Sequence, residues 1–254
     1  MEIPIKTNQQ IELMKQGGSK LSQILFSLVK MVKVGTNIVD IEAKANQLIR
    51  KAGGQPAFKR VPGYHWATCI NINDGIVHGI PKDYLIKDQD LVSIDIGMFY
   101  QGFNTDMCYA FQVGSHDQAT TDFLKAGKKA LTAVNALAKP LNYIGHLSQK
   151  TQEIIEGHGY NCARSLTGHG VGLKLHEPPS IPCFLNGEVS QTPMIKAGMT
   201  LAIEIIYTQG EPDLVVDDQD KWTIRTKDGK MATVFENTIA VLENGPLVLT
   251  PLPN

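Results

Sequence analysis

Four carboxylates lie inside segments that are otherwise apolar, and this feature constrains the fold more than any other. Asp95 lies in LVSIDIGMF, Asp106 in FNTDMCYAF, Glu204 in TLAIEIIYT and Glu236 in TVFENTIAV. Segments of this composition are typical of strands that are buried on at least one face. Since a buried carboxylate without a partner is costly, such groups are normally paired or bound to a metal ion.

Each acid taken alone has an ordinary alternative, because it would be stable on the solvent face of an alternating strand. Lys and Arg are absent from the centres of these four segments, so salt bridges explain the set poorly. A purely structural role for the acids is the remaining alternative, and a metal-free protein as stable as the metal-loaded one would support it. The four together favour a site that collects divalent cations.

Two of the acids lie in a predicted hairpin. Residues 91–99 and 103–113 flank Tyr100-Gln101-Gly102, which has the glycine expected at a turn. Counting from a centre between Tyr100 and Gln101 places Asp95 opposite Asp106, with their Cβ atoms ~5 Å apart. Two like charges at this separation are destabilising unless they are protonated or bridged by a cation. The sequence therefore predicts a divalent ion at this hairpin.

Three histidines lie in turn-rich or glycine-rich segments: His169 and His176 in GHGVGLKLHEPP, and His78 in NDGIVHGIP. A histidine in a loop is ordinarily a polar surface group, but imidazole is also a common ligand of transition metals. Carboxylates joined by imidazole suit Mn, Fe, Co or Zn better than a thiolate site does. Two divalent ions would neutralise four carboxylates and activate a water molecule, which indicates metal-assisted hydrolysis.

The overall composition excludes several other classes of protein. With 24 basic and 25 acidic residues among 254, the chain has no charge surplus that would favour nucleic acid or a membrane surface. The start of the chain does not resemble a secretory signal, and no apolar run approaches the ~18 residues of a membrane span. The four cysteines are scattered, without a CxxC pair, so we expect reduced thiols and a cytoplasmic location.

The chain reads as two similar halves. Helical periodicity predicts helices over residues 11–32 and 39–51, and again over 121–138 and 144–157, and a shift of 106 aligns the two pairs. A duplicated unit and a chance likeness of amphipathic helices both explain this alignment. Strands are predicted at 67–72, 91–99, 103–113, 200–208, 223–226 and 234–242, with antiparallel pairing. No linker divides the halves, so we expect one α+β domain, 1–254, with pseudo-symmetric halves of about 1–115 and 116–254.

An ordered set of residues and motifs resembles the type I methionine aminopeptidases of bacterial type. The motifs are IPIKTNQQIELMKQGG at the start, HGIP, the hairpin with two aspartates, GHGVGLKLHEPP, and WTIRTKDGK before the last glutamate. The resemblance covers nearly the whole chain. It implies the pita-bread fold, a pseudo-twofold antiparallel sheet with helices on its outer face. It also implies a cytoplasmic monomer that removes the first methionine from nascent proteins when the second residue is small.

The resemblance further implies roles for individual residues. Two divalent ions would be held by five ligands, and a hydroxide bridging the ions would attack the carbonyl after the first methionine. His176 would hydrogen-bond that carbonyl oxygen, His78 would contact the scissile amide nitrogen, and Glu204 would pass a proton to the leaving amine. The five metal ligands would be Asp95, Asp106, His169, Glu204 and Glu236. The methionine side chain would be bound by Phe58, Tyr64, Cys69, Leu175 and Trp222, for which plain core packing is the alternative.

The sequence departs from the family pattern at several positions, none of which is a ligand: Val61-Pro62, Gly97, Ile205, Thr233-Val234 and Asn237. Two related functions compete with the main hypothesis. One is an Xaa-Pro dipeptidase of the same fold, and the other is a binding module that has lost its metals. Polypeptide N-termini are the expected partners, with transient ribosome association, and neither nucleic acid nor membrane is expected.

Overall fold

The structure is a computed structural model that describes residues 2–252. The two ends of the predicted domain, Met1 and residues 253–254, lie outside this range. The described range contains four α-helices: α1 Asn8–Met31, α2 Ile38–Lys51, α3 Gln118–Asn135 and α4 Ile144–Gly157. None of these helices is long and apolar enough to cross a membrane.

Thirteen strands accompany the helices in the described range. They are β1 Gln55–Pro56, β2 Thr68–Ile72, β3 Gly75–Val77, β4 Leu91–Tyr100, β5 Phe103–Gln112, β6 Asn161–Cys162, β7 Thr167–Gly170, β8 Glu177–Pro182, β9 Thr200–Thr208, β10 Leu214–Val216, β11 Ile224–Thr226, β12 Ala232–Leu242 and β13 Gly245–Val248. Every ladder between them is antiparallel. The predicted α+β class is confirmed.

Capping side chains set the starts of two helices earlier than periodicity alone predicts. The Thr7 side chain accepts the amide hydrogen of Gln10, and the Gln10 side chain accepts that of Thr7. This capping box starts α1 three residues before the predicted position. Asp117 caps α3 in the same way by accepting from the Thr120 amide at 2.8 Å. Polar caps lie outside the apolar repeat, which explains the difference.

The strands form three sheets. In the first, β4 pairs with β5 on one side and with β1 and β2 on the other. In the second, β9 pairs with β12 on one side and with β6 and β7 on the other, and β13 and β8 extend it. The third sheet is small and has the order β10-β11-β3, with Ile224 of β11 paired to Val77 of β3.

Strand alternation directs the helices and the acids to opposite faces. Val92, Ile94, Ile96 and Met98 of β4 pack with the buried faces of α1 and α2, whereas Asp95 has the opposite parity. In β9, Leu201, Ile203 and Ile205 pack in the core cluster that includes α3, and Glu204 again has the opposite parity. Because successive side chains point to opposite faces, the acids are collected on the side away from the helices.

Side-chain hydroxyls join the two larger sheets where β5 lies beside β12. Thr238 Oγ1 accepts from the Asp106 amide at 2.8 Å and donates to the Asp106 carbonyl oxygen at 2.7 Å. Thr250 Oγ1 in turn accepts from the Thr238 amide at 2.8 Å. These contacts place Asp106 of one sheet next to Glu236 of the other.

The second helices of the two pairs have the predicted relation to each other. Both α2 and α4 contain 14 residues, and they begin at Ile38 and Ile144, with the predicted separation in sequence. A short β-bridge precedes each helix, from Asn37 to Leu85 and from Tyr143 to Met194. The division into halves of about 1–115 and 116–254 stays a prediction.

Gly18 provides a test of how closely α1 packs on the segment after β13. A Cβ at Gly18 would overlap the Leu249 carbonyl group, with its carbon only 2.8 Å away. We expect Gly18→Ala to lower the free energy of unfolding by about 1–3 kcal/mol, as overpacking does. Urea unfolding followed by far-UV circular dichroism measures this change.

The matched control is Gly157→Ala, at the exposed last residue of α4, where a Cβ would meet nothing within 4 Å. Better helix propensity should leave its stability unchanged or raised by at most about 1 kcal/mol. Equal destabilisation of both variants would contradict the described packing of α1.

Candidate metal centre and substrate pocket

The Asp95–Asp106 hairpin is present, but the predicted register was wrong. Gln101 and Gly102, with φ of 47° and 92°, form a two-residue turn, so Asp95 pairs with Cys108 and Asp106 with Gly97. The two aspartates are therefore diagonal neighbours, two positions apart along the ladder. They still share a face, because the shift is two residues and the side-chain period is two.

The direct pairing expected for the first hairpin occurs instead in the second sheet. Glu204 of β9 and Glu236 of β12 are register partners across the ladder. Glu236 is 2% exposed, and no hydrogen bond reaches its Oε1. Oδ1 of Asp95 is likewise buried without a partner. Two orphaned carboxylate oxygens on one face are the signature of a site that a cation completes.

His169 lies on strand β7, which the sequence analysis did not predict. Its strand is flanked by β8 and β9, with His169 paired to Ser180 and to Ala202. Glycines occupy both neighbouring positions because a Cβ at Gly168 would lie 2.6 Å from the Ala202 oxygen, and one at Gly170 would overlap Pro178. The glycines remove the apolar alternation by which a strand is recognised, which is why this one was missed.

The hydrogen bond of His169 leaves one ring nitrogen free for a ligand. Nδ1 lies 2.8 Å from the Gly170 carbonyl oxygen, an arrangement in which Nδ1 carries the proton and Nε2 keeps its lone pair. Nε2 faces Glu204, with 3.6 Å between it and Oε1. Ligand atoms of Asp106, His169 and Glu236 all lie within 4.8 Å of one another. Oxygen donors with one imidazole fit a hard or borderline divalent ion.

The protonation behaviour of the site reflects burial and crowding of like charges. Burial raises the pKa of Asp106 to about 7. Burial first, and then the neighbouring carboxylates, raise the pKa values of Asp95, Glu204 and Glu236 well above their usual range. Within residues 2–252, the ion-pair partner of these acids is His169 alone, and burial lowers the pKa of His169 to about 4. A cation is therefore the natural counter-charge.

The five predicted ligands line one cavity of about 140 Å³ together with His78 and His176. His78 follows β3 with a φ of 56°, and its ring is at the cavity mouth. His176 also lines the mouth, where this cavity adjoins a second one, and its ring meets that of His169 edge to face with centroids 4.5 Å apart. Partial burial lowers the pKa of both His78 and His176, so both rings are neutral near pH 7.

The rest of this cavity is an apolar pocket. Phe58, Tyr64 and Cys69 form a small buried cluster with Leu175 and Trp222 packed against it. The Tyr64 ring meets Trp222 edge to face, with 5.2 Å between centroids, and its hydroxyl donates to the Thr68 carbonyl oxygen. The structure thus brings together all the residues predicted to bind the methionine side chain, and Val61 and Val77 join them.

Among the departures from the family pattern, Ile205 and Asn237 face away from the carboxylate centre. Val61 and Gly97 lie at the apolar pocket. Ile205 packs in the helix-side core, and the Asn237 side chain bonds to Asn135 and to the Thr250 carbonyl oxygen. Val61 lines the cavity. Gly97 lies against Phe58, where a Cβ would come 2.8 Å from Cε1 of the ring.

Sequence reasoning missed the residue that holds Trp222 in place. Asp220 accepts from the amides of Trp222 and Thr223 at 2.9 and 2.8 Å, and Lys82 forms an ion pair with it at 2.6 Å. These hydrogen bonds and the ion pair lower the pKa of Asp220. An aspartate that accepts from an amide two residues later is typical of such a turn. The spacing of Asp220 and Trp222 therefore could have indicated it from the sequence.

Comparison with known proteins gives the same picture. The profile of metallopeptidase family M24 matches residues 12–243. Methionine aminopeptidase of Clostridium perfringens is 34% identical over 248 residues, which cover 98% of each chain. The crystal structure of methionine aminopeptidase from Thermotoga maritima superposes with a TM-score of 0.94 and 36% identity, over 98% of this chain and 99% of the other.

A solved structure of an enzyme with a different activity is also similar. Prolidase from Pyrococcus furiosus matches with a TM-score of 0.80 and 25% identity, over 98% of this chain but 66% of the prolidase. The fold is therefore the one shared by methionine aminopeptidases and prolidases, as the resemblance implied. From the family profile and the relative matched over its full length, the chain belongs to metallopeptidase family M24.

Proposed function

We propose that this protein is a methionine aminopeptidase, which hydrolyses the peptide bond after an N-terminal methionine. The observation that carries the proposal is an apolar pocket that opens directly onto the carboxylate centre within one cavity. An unbranched thioether suits a small pocket walled by aromatic rings and a thiol. The full-length similarity to methionine aminopeptidases supports this choice over an Xaa-Pro dipeptidase.

We propose that two divalent ions are held by Asp95, Asp106, His169, Glu204 and Glu236. Four carboxylates on one face match the charge of two such ions. When bound, the ions polarise the scissile carbonyl and lower the pKa of water so that it becomes a nucleophile at neutral pH. Asp106 and Glu236, the most buried of the four acids and adjacent across the two sheets, would hold the ions together with the other three residues. The hydroxyl of Thr238 fixes the backbone of Asp106, which holds this geometry.

The two histidines at the mouth are the proposed contacts to the reacting peptide group. A neutral His176 can donate a hydrogen bond to the carbonyl oxygen as negative charge develops there. His78, across the mouth, is placed to orient the amide nitrogen. Glu204 is the proposed proton carrier to the leaving amine, because its side chain lines both the catalytic cavity and the cavity that adjoins it.

The remainder of the substrate needs an exit, and a second groove supplies one. A cavity of about 530 Å³ shares His78, His176 and Glu204 with the catalytic cavity and continues to Leu166 and Ser180. An open groove here lets a long polypeptide leave the site while its first residue is enclosed. Nascent polypeptide N-termini are therefore the proposed substrates, with cytoplasmic location, monomeric state and transient ribosome association as further parts of the proposal.

Release of free methionine from Met-Ala-Ser tests the reaction and its metal requirement together. Chelator-treated protein should be inactive, and Mn(II), Fe(II), Co(II) or Zn(II) should restore activity and raise the melting temperature, since ligands stabilise the folded state they bind. Cleavage of Ala-Pro in preference to Met-Ala-Ser would instead identify the dipeptidase. Folded protein that binds no metal would identify the binding module.

Glu204→Gln separates proton transfer from folding. The substitution keeps the size of the side chain but removes the carboxylate, so we expect turnover to fall on the order of 10²–10⁴-fold, as loss of a general acid–base does. Circular dichroism should remain that of wild type. The matched control is Glu188→Gln, at an exposed position far from the cavity, which should keep full turnover. Activity of Glu204→Gln within tenfold of wild type would remove Glu204 from the proposed role.

Gly97→Ala tests the shape of the methionine pocket. The added methyl would lie 2.8 Å from Phe58 Cε1 and 2.9 Å from Ala57 Cβ, so the Phe58 ring must move into the cavity. We expect KM for Met-Ala-Ser to rise severalfold, with a smaller change in kcat, because the ground and transition states both hold the methionine side chain. Steady-state kinetics measure this, and adding Phe58→Leu should partly reverse it. An unchanged KM would mean that Phe58 does not line the bound side chain.

A further inference from the structure

A buried ion pair joins the segment that carries His176 to the segment before α1. Lys6 Nζ donates to Glu177 Oε2, and both side chains are 3% exposed. Lys6 belongs to the extended segment before α1, whereas Glu177 follows His176 and begins β8. Removing two charges from water is costly, so a pair buried this deeply is poorly explained as a source of stability alone.

The segment between β7 and β8, residues 171–176, is here named the His176 loop. It has no ladder of its own, and Leu173 on it is 59% exposed. Within residues 2–252 the His176 ring has no hydrogen-bond partner, and its packing contact is the edge of His169. The position of this ring therefore depends on how the backbone on either side of it is held.

The Glu177 side chain holds that backbone through a hydrogen bond. Its Oε1 accepts from the Lys174 amide at 2.9 Å, while the Lys174 carbonyl oxygen accepts from the Gly172 amide at 2.9 Å. One carboxylate thus joins the middle of the His176 loop to the start of β8. Its other oxygen accepts from Lys6, which neutralises the charge of this buried carboxylate.

Lys6 is itself fixed at both ends. Its amide donates to the Gly198 carbonyl oxygen at 2.7 Å, next to the start of β9. Its side chain crosses directly over Gly172, where a Cβ would come within 2.9 Å of Nζ. The ion pair therefore links the His176 loop to the segment before α1, with the Lys6 side chain packed closely against Gly172.

We infer that Lys6 and Glu177 are positioning residues for His176, and this inference rests on the proposed function. The ion pair fixes the loop, and the loop aims the imidazole at the carbonyl oxygen of the scissile bond. Misplacement of a catalytic group by about 1 Å costs on the order of 10²-fold in rate. Neither side chain lines the catalytic cavity itself, and Glu177 lines the adjoining groove.

The test compares Lys6→Met, Glu177→Gln and the double variant on Met-Ala-Ser with wild-type protein whose turnover has been established. We expect kcat to fall at least about tenfold in each, with a smaller change in KM, because the His176 contact strengthens in the transition state. The double variant should be no slower than the slower single variant, since both changes break one unit. It leaves no unpaired buried charge, so it keeps the test valid if Lys6→Met does not fold.

A separate readout does not depend on activity. In the metal-free protein, the ring NMR signals of His176, assigned with His176→Asn, should shift or broaden in these variants, while those of His146 on α4 stay unchanged. The matched control is Leu28→Ala, a buried position in α1 remote from the cavity, which should lower stability but leave kcat and the His176 signals as in wild type. Unchanged His176 signals, kcat within threefold of wild type, or an equal kcat loss in Leu28→Ala would overturn the inference.

Discussion

Four carboxylates crowded on one face of two joined sheets are the constraint on which the rest of the structure depends. Their raised pKa values show that burial and mutual repulsion oppose ionisation, and His169 is kept neutral rather than serving as a counter-ion. Such an arrangement is stable with protons or with a multivalent cation, and a cation leaves the carboxylates ionised as ligands. The same crowding of like charges that makes the site costly to fold favours the binding of a multivalent cation.

Parity along the strands could be read from the sequence, whereas register could not. The apolar alternation in LVSIDIGMF and TLAIEIIYT places Asp95 and Glu204 opposite the helix-facing residues, whatever the pairing. The sequence did not fix which of residues 100–102 form the turn, and the structure places it one residue later than predicted, at Gln101 and Gly102, both with positive φ. An error of two residues keeps every side chain on its face, so the predicted ligands line one cavity despite the wrong register.

Strand β7, whose glycines serve tertiary contact, is one of the short strands that the sequence analysis did not predict. β7 is short, and Gly168 and Gly170 give it no side-chain pattern, yet they allow β8 and β9 to approach His169 from both sides. Their role is visible only once the neighbouring backbones are known. The pairing of Glu204 with Glu236 was hidden for a related reason, since a long connection separates β9 from β12.

Segments that are remote in sequence hold the backbone near the carboxylate centre. Thr250, after β13, accepts from the Thr238 amide, and Thr238 holds the backbone of Asp106. Lys6, before α1, neutralises Glu177 under the His176 loop. The backbone of Asp106 and the His176 loop are therefore held by side chains that do not line the catalytic cavity. Side chains that point into the cavity can then remain without protein partners, which is what a metal ion and a peptide bond require of them.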